Sequence, residues 1–339
     1  MVYQPIHQRK VIGKRLHKTL DEHVQEREEY NGREEVYLNQ AHEQEFEFLV
    51  PCMDKLVETD EIKKLIERVS HWMDLGYPPH IIGPTGCGKT TLALAAASRT
   101  GRPTLWINGD DQMTTSDLIG GYSEIETSSV RDRFVHNVMI NKDRTKYTWV
   151  DNPLTIACKY GYTLIYNEFS RSKPIANNVL LSVLEEGILE LPIMFGTERY
   201  IDVHPDFSMI FTSNNIEYAG IHTPQDALLD RLIHIFMDYY DLETEASIVV
   251  KHTDIPYEDA EKIVKVVRLI RDSMPPASKP STRAEVMISY GMQNLDKYNF
   301  EDMQTIYLDV LGSKIREMKE YDAFRDIVRA AIKNVYGGY

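Results

Sequence analysis

The run Gly83-Pro84-Thr85-Gly86-Cys87-Gly88-Lys89-Thr90 constrains this chain more than any other segment. It fits G-x-x-x-x-G-K-[ST] at every position. The short apolar run His80-Ile81-Ile82 precedes it, and a helical pattern over Thr90–Arg99 follows, with Gly101 just past the helix end. A glycine-rich turn between a strand and a helix lets successive backbone N–H groups face inward and hold phosphate oxygens. The helix adds the positive end of its dipole. Lys89 is placed to reach the β- and γ-phosphates, and the Thr90 hydroxyl to ligate Mg2+. The expected ligands are therefore ATP and Mg2+, held by Gly83, Pro84, Thr85, Gly86, Cys87, Gly88, Lys89, Thr90 and Thr91.

Such a loop works beside a strand that ends in polar groups. Thr163-Leu164-Ile165-Tyr166-Asn167-Glu168 is the one good candidate. The first polar position usually holds an Asp that organises the Mg2+ shell. Asn167 stands there instead: an amide accepts a hydrogen bond from a metal-bound water but supplies no negative charge. Weaker Mg2+ affinity, or compensation by another group, is the expectation. Glu168 is the candidate base that orients the attacking water.

Around these motifs, helix and strand alternate from Pro51 to about Asp238. Thr59 caps a helix with Asp60 and Glu61 in its first turn and an apolar stripe of Ile62, Leu65, Ile66, Val69, Trp72 and Met73. Strands are expected at Thr104–Ile107, Tyr162–Tyr166, Phe207–Thr212 and Leu232–Met237, with a helix entered at Pro174 and closed at Gly187. Ile188–Pro192 and Arg199–Val203 flank a turn containing Gly196 and read as a β-hairpin. The expected class is α/β, a mostly parallel sheet sandwiched by helices. After Asp238 only helices are expected, at Thr244–His252, Glu258–Ser273, Arg283–Leu295, Glu301–Met318 and Asp322–Val335. The expected organisation is a charged arm at 1–50, an α/β nucleotide-binding domain at 51–238 and a helical lid at 239–339. The arm is basic up to Lys18 and acidic from Asp21, with sparse apolar residues, as in a solvated segment.

Bulk properties narrow the function classes. The net charge of −14 disfavours a broad nucleic-acid-binding face. Three cysteines, Cys52, Cys87 and Cys158, without a C-x-x-C, fit neither a disulfide framework nor a zinc ribbon; a cytoplasmic location is the expectation. No apolar run reaches the roughly 20 residues of a membrane span. Asn141-Lys142-Asp143 lacks the spacing of a guanine-reading motif, and His42-Glu43 has Phe46 where a zinc motif needs a second His. Cys87 reads as a small filler of the loop rather than a redox switch.

Further segments carry a resemblance. They are Gly83–Ala95, Gly109-Asp110-Asp111, Trp149–Thr155, Asn167–Pro174 with Asn177–Glu186, Val203–Phe207, Phe211–Asn214, Glu217–Gly220 and Gln225–Leu232. Together they resemble a MoxR-type AAA+ ATPase, and more closely the gas vesicle protein N family, over about Val57 to Arg283. The resemblance implies an AAA+ fold with a helical lid. It assigns Asn214 as a sensor of the γ-phosphate, Arg231 as an arginine finger reaching a neighbouring subunit's ATP, and Arg283 as a second sensor from the lid. Arg171 is a weaker candidate for a contact between subunits. Asn167 departs from the family pattern, which has Asp.

What the resemblance implies for function is an ATPase in a homo-oligomeric ring, a hexamer by expectation, associated with gas vesicles. It would assist their assembly and growth by remodelling or chaperoning vesicle structural and accessory proteins, without nucleic acid and without a membrane span. Two other readings stand beside it: a nucleotide-gated assembly scaffold with little turnover, motivated by Asn167, and a MoxR-type chaperone acting on a metalloenzyme.

Overall fold

The computed structural model describes residues 56–131, 141–192, 199–214, 222, 224–293, 299–315 and 318–337. The arm expected at 1–50 lies outside the described residues. A helix, α1 (Asp60–Asp74), opens the described chain. Thr59 caps it, its hydroxyl accepting from the Ile62 N–H, and Ile62, Ile66, Val69 and Met73 form the buried stripe. Five parallel strands form the central sheet: β1 (Pro79–Gly83), β2 (Thr104–Asn108), β5 (Thr163–Asn167), β8 (Ser208–Asn214) and β9 (Ile233–Phe236). Their spatial order is β2-β5-β8-β1-β9.

Alternation along each strand divides the core between the two faces of the sheet. On β5, Leu164 and Tyr166 pack with Leu105, Phe169, Leu180 and Phe211 on one face. Ile165 points to the other face and meets Ile81, Leu92, Ile210 and Ile235. All of these side chains are buried. The helix after the glycine loop, α2 (Lys89–Ser98), is dominated by alanines. Ala93, Ala95, Ala96 and Ala97 are all buried, and such short side chains let the helix axis lie close to the sheet.

Between β2 and β5 the chain forms α3 (Thr115–Ile119), the antiparallel strands β3 (Gly120–Arg131) and β4 (Asn141–Asp151), and α4 (Pro153–Tyr160). The periodicity of the sequence does not foretell this hairpin. Runs such as Glu126-Thr127-Ser128-Ser129 lack the apolar alternation of a half-buried strand. The shorter hairpin was foreseeable: β6 (Ile188–Glu190) pairs antiparallel with β7 (Tyr200–Asp202).

Two helical expectations change. The segment from Pro174 starts as a 3-10 turn, Pro174–Asn178, and becomes α5 only over Val179–Glu185. The Tyr166 hydroxyl donates to Asn177 Oδ1 at 2.9 Å and buries that amide, a polar tie that regular periodicity does not announce. The expected single helix from Glu301 to Met318 ends at Leu311, passes through a 3-10 turn at Gly312–Lys314, and a new helix begins at Met318. Gly312 favours the break because it loses more backbone freedom in a helix than other residues do.

A short helix, α6 (Asp226–Leu229), leads into β9, after which the described residues form only helices and turns. The long helices are α7 (Leu242–Thr253), α8 (Tyr257–Asp272), α9 (Thr282–Gln293), α10 (Phe300–Leu311) and α11 (Met318–Tyr336). One buried guanidinium ties three of them together. Arg271 on α8 donates to Glu245 on α7 at 2.9 Å, to Glu285 on α9 at 2.8 Å, and through Nε to the Pro280 carbonyl at 3.0 Å. Its guanidinium carbon also lies 3.9 Å from the centre of the Tyr239 ring, on the connection from β9. Burial raises the pKa of both carboxylates, and for Glu285 the neighbouring Glu245 adds to the effect.

Candidate nucleotide-binding site

Four strand ends meet at the carboxyl edge of the sheet, where open parallel sheets place their ligands. Gly83 ends β1 in register with Asn214 at the end of β8, and Asn167 ends β5 in register with Asn108 of β2. The glycine loop turns out of β1 here, with Gly86 at φ 76° and Gly88 at φ 91°. Gly86 also has no room for a side chain: a Cβ would come within 2.7 Å of Ser281, just before α9. The loop and the helical region are therefore in contact through a position only glycine fits.

A cavity of about 530 Å³ opens against this loop. Residues Thr85 to Leu92 line its floor, with Asn167, Glu168 and Asn214 from the sheet and Thr282 and Arg283 from α9. The rest of the lining is mostly apolar: Leu56, Val57 and Ile62 from the N-terminal side, Ile248 and Val286 from α7 and α9, together with Tyr240 and His252. A lining that joins the phosphate loop and polar strand ends to apolar side chains suits a ligand that carries both phosphates and an aromatic ring.

Lys89 is the buried cation of the loop. Its ammonium donates to the carbonyls of Gly83 at 3.1 Å and Pro84 at 2.6 Å and to Asn214 Oδ1 at 2.9 Å. Burial lowers its pKa from the usual lysine value, with Cys87 and Glu168 acting the other way. Cys87 itself is fully buried, and burial pushes its thiol pKa up, which fits a filler and not a reactive thiolate.

Thr90 Oγ1 donates to Asn167 Oδ1 at 3.1 Å, so the two candidate cation-side groups sit together. They are neutral oxygens, the hard donor type Mg2+ takes. Among the described residues no group of three His, Cys, Asp or Glu could hold a metal unaided. The pair fits an ion that arrives with phosphate oxygens rather than one caged by protein alone.

Glu168 adopts a left-handed backbone, φ 52° and ψ 38°, uncommon for a residue with a Cβ. Two contacts hold it there. Its N–H donates to Thr212 Oγ1 at 3.1 Å, and its carbonyl lies against Gly109, where a Cβ would come within 2.2 Å of the Glu168 oxygen. The Glu168 carboxylate pairs with Arg171 Nε at 2.5 Å. Arg171 thus pairs with Glu168 of its own chain, while about half of its side chain stays exposed.

Arg283 lines the cavity with an exposed side chain and has no hydrogen bond or ion pair among the described residues. Arg231 does not line it. Its guanidinium binds the Ala227 carbonyl and the Glu185 carboxylate, outside the cavity of its own chain. The residues that motif reading missed are Thr212, Asn108, Tyr240 and Ser281. Each reaches the site from an element distant in sequence from the loop, and Thr212, though it lies within the Phe211–Asn214 segment, was given no role there.

The family description "AAA domain (dynein-related subfamily)" matches residues 80–232. The gas vesicle ATPase GvpN of Haloferax mediterranei is 49% identical over 292 residues, 86% of this chain and 84% of that protein. GvpN1 of Halobacterium salinarum is 49% identical over 290 residues, 85% of this chain and 83% of that one. Among solved structures, a point mutant of Thermotoga maritima RuvB covers 86% of both chains at 16% identity, with a TM-score of 0.49, too low to add to the fold described above. With identity near one half across most of both chains, and a phosphate loop, partner strand and helical region meeting at one cavity, this chain is an ATP hydrolase of the AAA+ class and belongs to the GvpN family of gas vesicle ATPases.

Proposed function

We propose that this chain hydrolyses ATP at a site completed by a second copy of itself, in a ring, and uses the cycle to assist gas vesicle assembly. The observation that carries the reading is a division among the candidate residues. Lys89, Thr90, Asn167, Glu168, Asn214 and Arg283 converge on one cavity, whereas Arg231 stands outside it, paired with Glu185. A cation placed to act on a neighbour's phosphates has this arrangement.

In this reading the loop backbone and Lys89 hold the β- and γ-phosphates, and Lys89 exchanges its carbonyl partners for phosphate oxygens. Thr90 and Asn167 would hold Mg2+, which would offset the phosphate charge. Glu168 orients the attacking water, after its carboxylate leaves Arg171. Asn214, bonded to Lys89, lines the same cavity and positions the γ-phosphate. Arg283 brings the helical region against the phosphates, so that hydrolysis changes how α9 sits on the loop. Positioning and electrostatics supply the catalysis, with no covalent step on the protein.

The names of the relatives support vesicle proteins as clients. The test uses the Glu168→Gln chain, which should bind ATP and release it slowly. Incubated with ATP and captured, it should retain a vesicle structural or accessory protein that the wild-type chain releases. Retention equal to that of wild type, with ATP occupancy verified, would contradict a client-remodelling cycle. The second reading, a nucleotide-gated scaffold with little turnover, draws support from the neutral Asn167. It expects vesicle growth to proceed with the Glu168→Gln chain as with wild type.

A further inference from the structure

At the edge of the cavity a chain of hydrogen bonds runs through Asn167, and its polarity is set from both ends. At one end stands the backbone N–H of Glu168, which can only donate, 3.1 Å from Thr212 Oγ1. The Thr212 proton is therefore free for the next atom, Asn167 Oδ1, at 2.7 Å. At the other end the Trp106 indole N–H, also donor only, reaches Asn108 Oδ1 at 2.9 Å. Asn167 Nδ2 donates to that same Asn108 oxygen at 2.9 Å. An amide's orientation has to be deduced from its partners. Here both ends give one answer: the Asn167 oxygen faces Thr90 and its nitrogen faces Asn108.

We infer that Asn108 is a positioning residue that holds Asn167 as a neutral acceptor toward Thr90 and disfavours a carboxylate at position 167. This inference rests on the proposed cation-side role of Thr90 and Asn167. A carboxylate at 167 sets an oxygen where Nδ2 now lies, acceptor against acceptor across the β2–β5 pair. Turning the Asn108 amide relieves that clash but presents an NH2 group to the Trp106 N–H, which must then exchange its Asn108 acceptor for water. The amide at 167 is thus matched by its neighbours and is not an isolated departure from an acidic pattern. The two side chains proposed for the cation, Thr90 and Asn167, are both neutral, so most of the charge that draws the ion comes from the nucleotide.

Two measurements test this. The first is the indole 15N–1H spectrum of the protein without nucleotide, with Trp106 assigned by Trp106→Phe. Asn167→Asp should move the Trp106 signal upfield, toward an indole bonded only to water, and leave those of Trp72 and Trp149 in place. An unmoved Trp106 signal overturns the inference. The second is the Mg2+ concentration for half-maximal binding of a fluorescent ATP analogue. Asn167→Asp alone should change it by less than about threefold, and adding Asn108→Ala should lower it by about tenfold, because the new charge then acts without an opposing oxygen. A full drop with Asn167→Asp alone, unchanged by Asn108→Ala, also overturns it. If Asn167→Asp does not fold, recovery of the fold on adding Asn108→Ala supports the inference, and no recovery contradicts it. The indole result is independent of nucleotide, so it can fail while Mg2+-dependent binding holds. Binding that ignores Mg2+ in the wild type would instead count against the reading of the site.

Discussion

Lys89 Nζ and Asn214 Oδ1 lie 2.9 Å apart, a bond that ties the phosphate loop to the end of the central strand β8. With the Gly83 and Pro84 carbonyls it occupies all three protons of the ammonium. Phosphate oxygens must displace some of these acceptors. Asn214→Ala removes one competitor and should change ATP affinity little. Asn214→Asp replaces it with a carboxylate that pairs with Lys89 and repels phosphate, and should weaken binding by about tenfold. Titration of a fluorescent nucleotide into both variants checks the order. Equal affinities would show that the Lys89–Asn214 contact does not compete with the ligand.

The buried Arg271 holds two carboxylates, a carbonyl and an aromatic face at once. Removing it leaves Glu245 and Glu285 buried without their shared partner. Arg271→Ala should cost about 3–5 kcal/mol, the range for breaking a buried pair by deleting one member. Chemical denaturation measures it. Arg271→Lys keeps the charge but not the fork that reaches three elements, and should fall between the two.

A pH dependence follows from His80. Its Nε2 is 2.7 Å from Ser213 Oγ, and its ring meets Phe169 and His234 edge-on. Burial first, and then His234, lower its pKa from 6.5 to about 3. Between those values the unfolded chain holds a proton at this residue and the folded chain does not. Stability therefore declines as pH falls through that window, by at most about 1.4 kcal/mol per pH unit from this group. His80→Gln should be less stable at pH 7 but lose less on going to pH 5. An identical slope in wild type and variant would assign the acid sensitivity elsewhere.

How much was legible beforehand depends on how local each feature is. The loop Gly83–Thr90 declares itself because backbone geometry and phosphate chemistry need those residues at those spacings. The main strands and α1 declare themselves through their apolar period. The hairpin of β3 and β4 does not, because its residues alternate little between apolar and polar. Nor does the role of Thr212: a threonine inside an apolar strand gives no sign that its hydroxyl will relay between the Glu168 N–H and Asn167. The same holds for Asn108, which meets Asn167 only because β2 and β5 are neighbours in the sheet though far apart in sequence. The neutral Asn167 was visible at once, but the reason it is accommodated lies in those unannounced partners.

The central claim is that the site is shared between copies, with Arg231 acting on a neighbour's ATP. Mixing Arg231→Ala chains with Glu168→Gln chains and measuring ATP hydrolysis tests it most directly. Each variant alone should lose about a thousandfold. In mixed rings, a site from the Arg231→Ala chain keeps its Glu168 and meets the intact Arg231 of a Glu168→Gln neighbour, so it regains every group. The account predicts that the mixture hydrolyses ATP well above the average of the two separate variants. A mixture no faster than that average would place Arg231 in its own chain's structure and contradict the shared site.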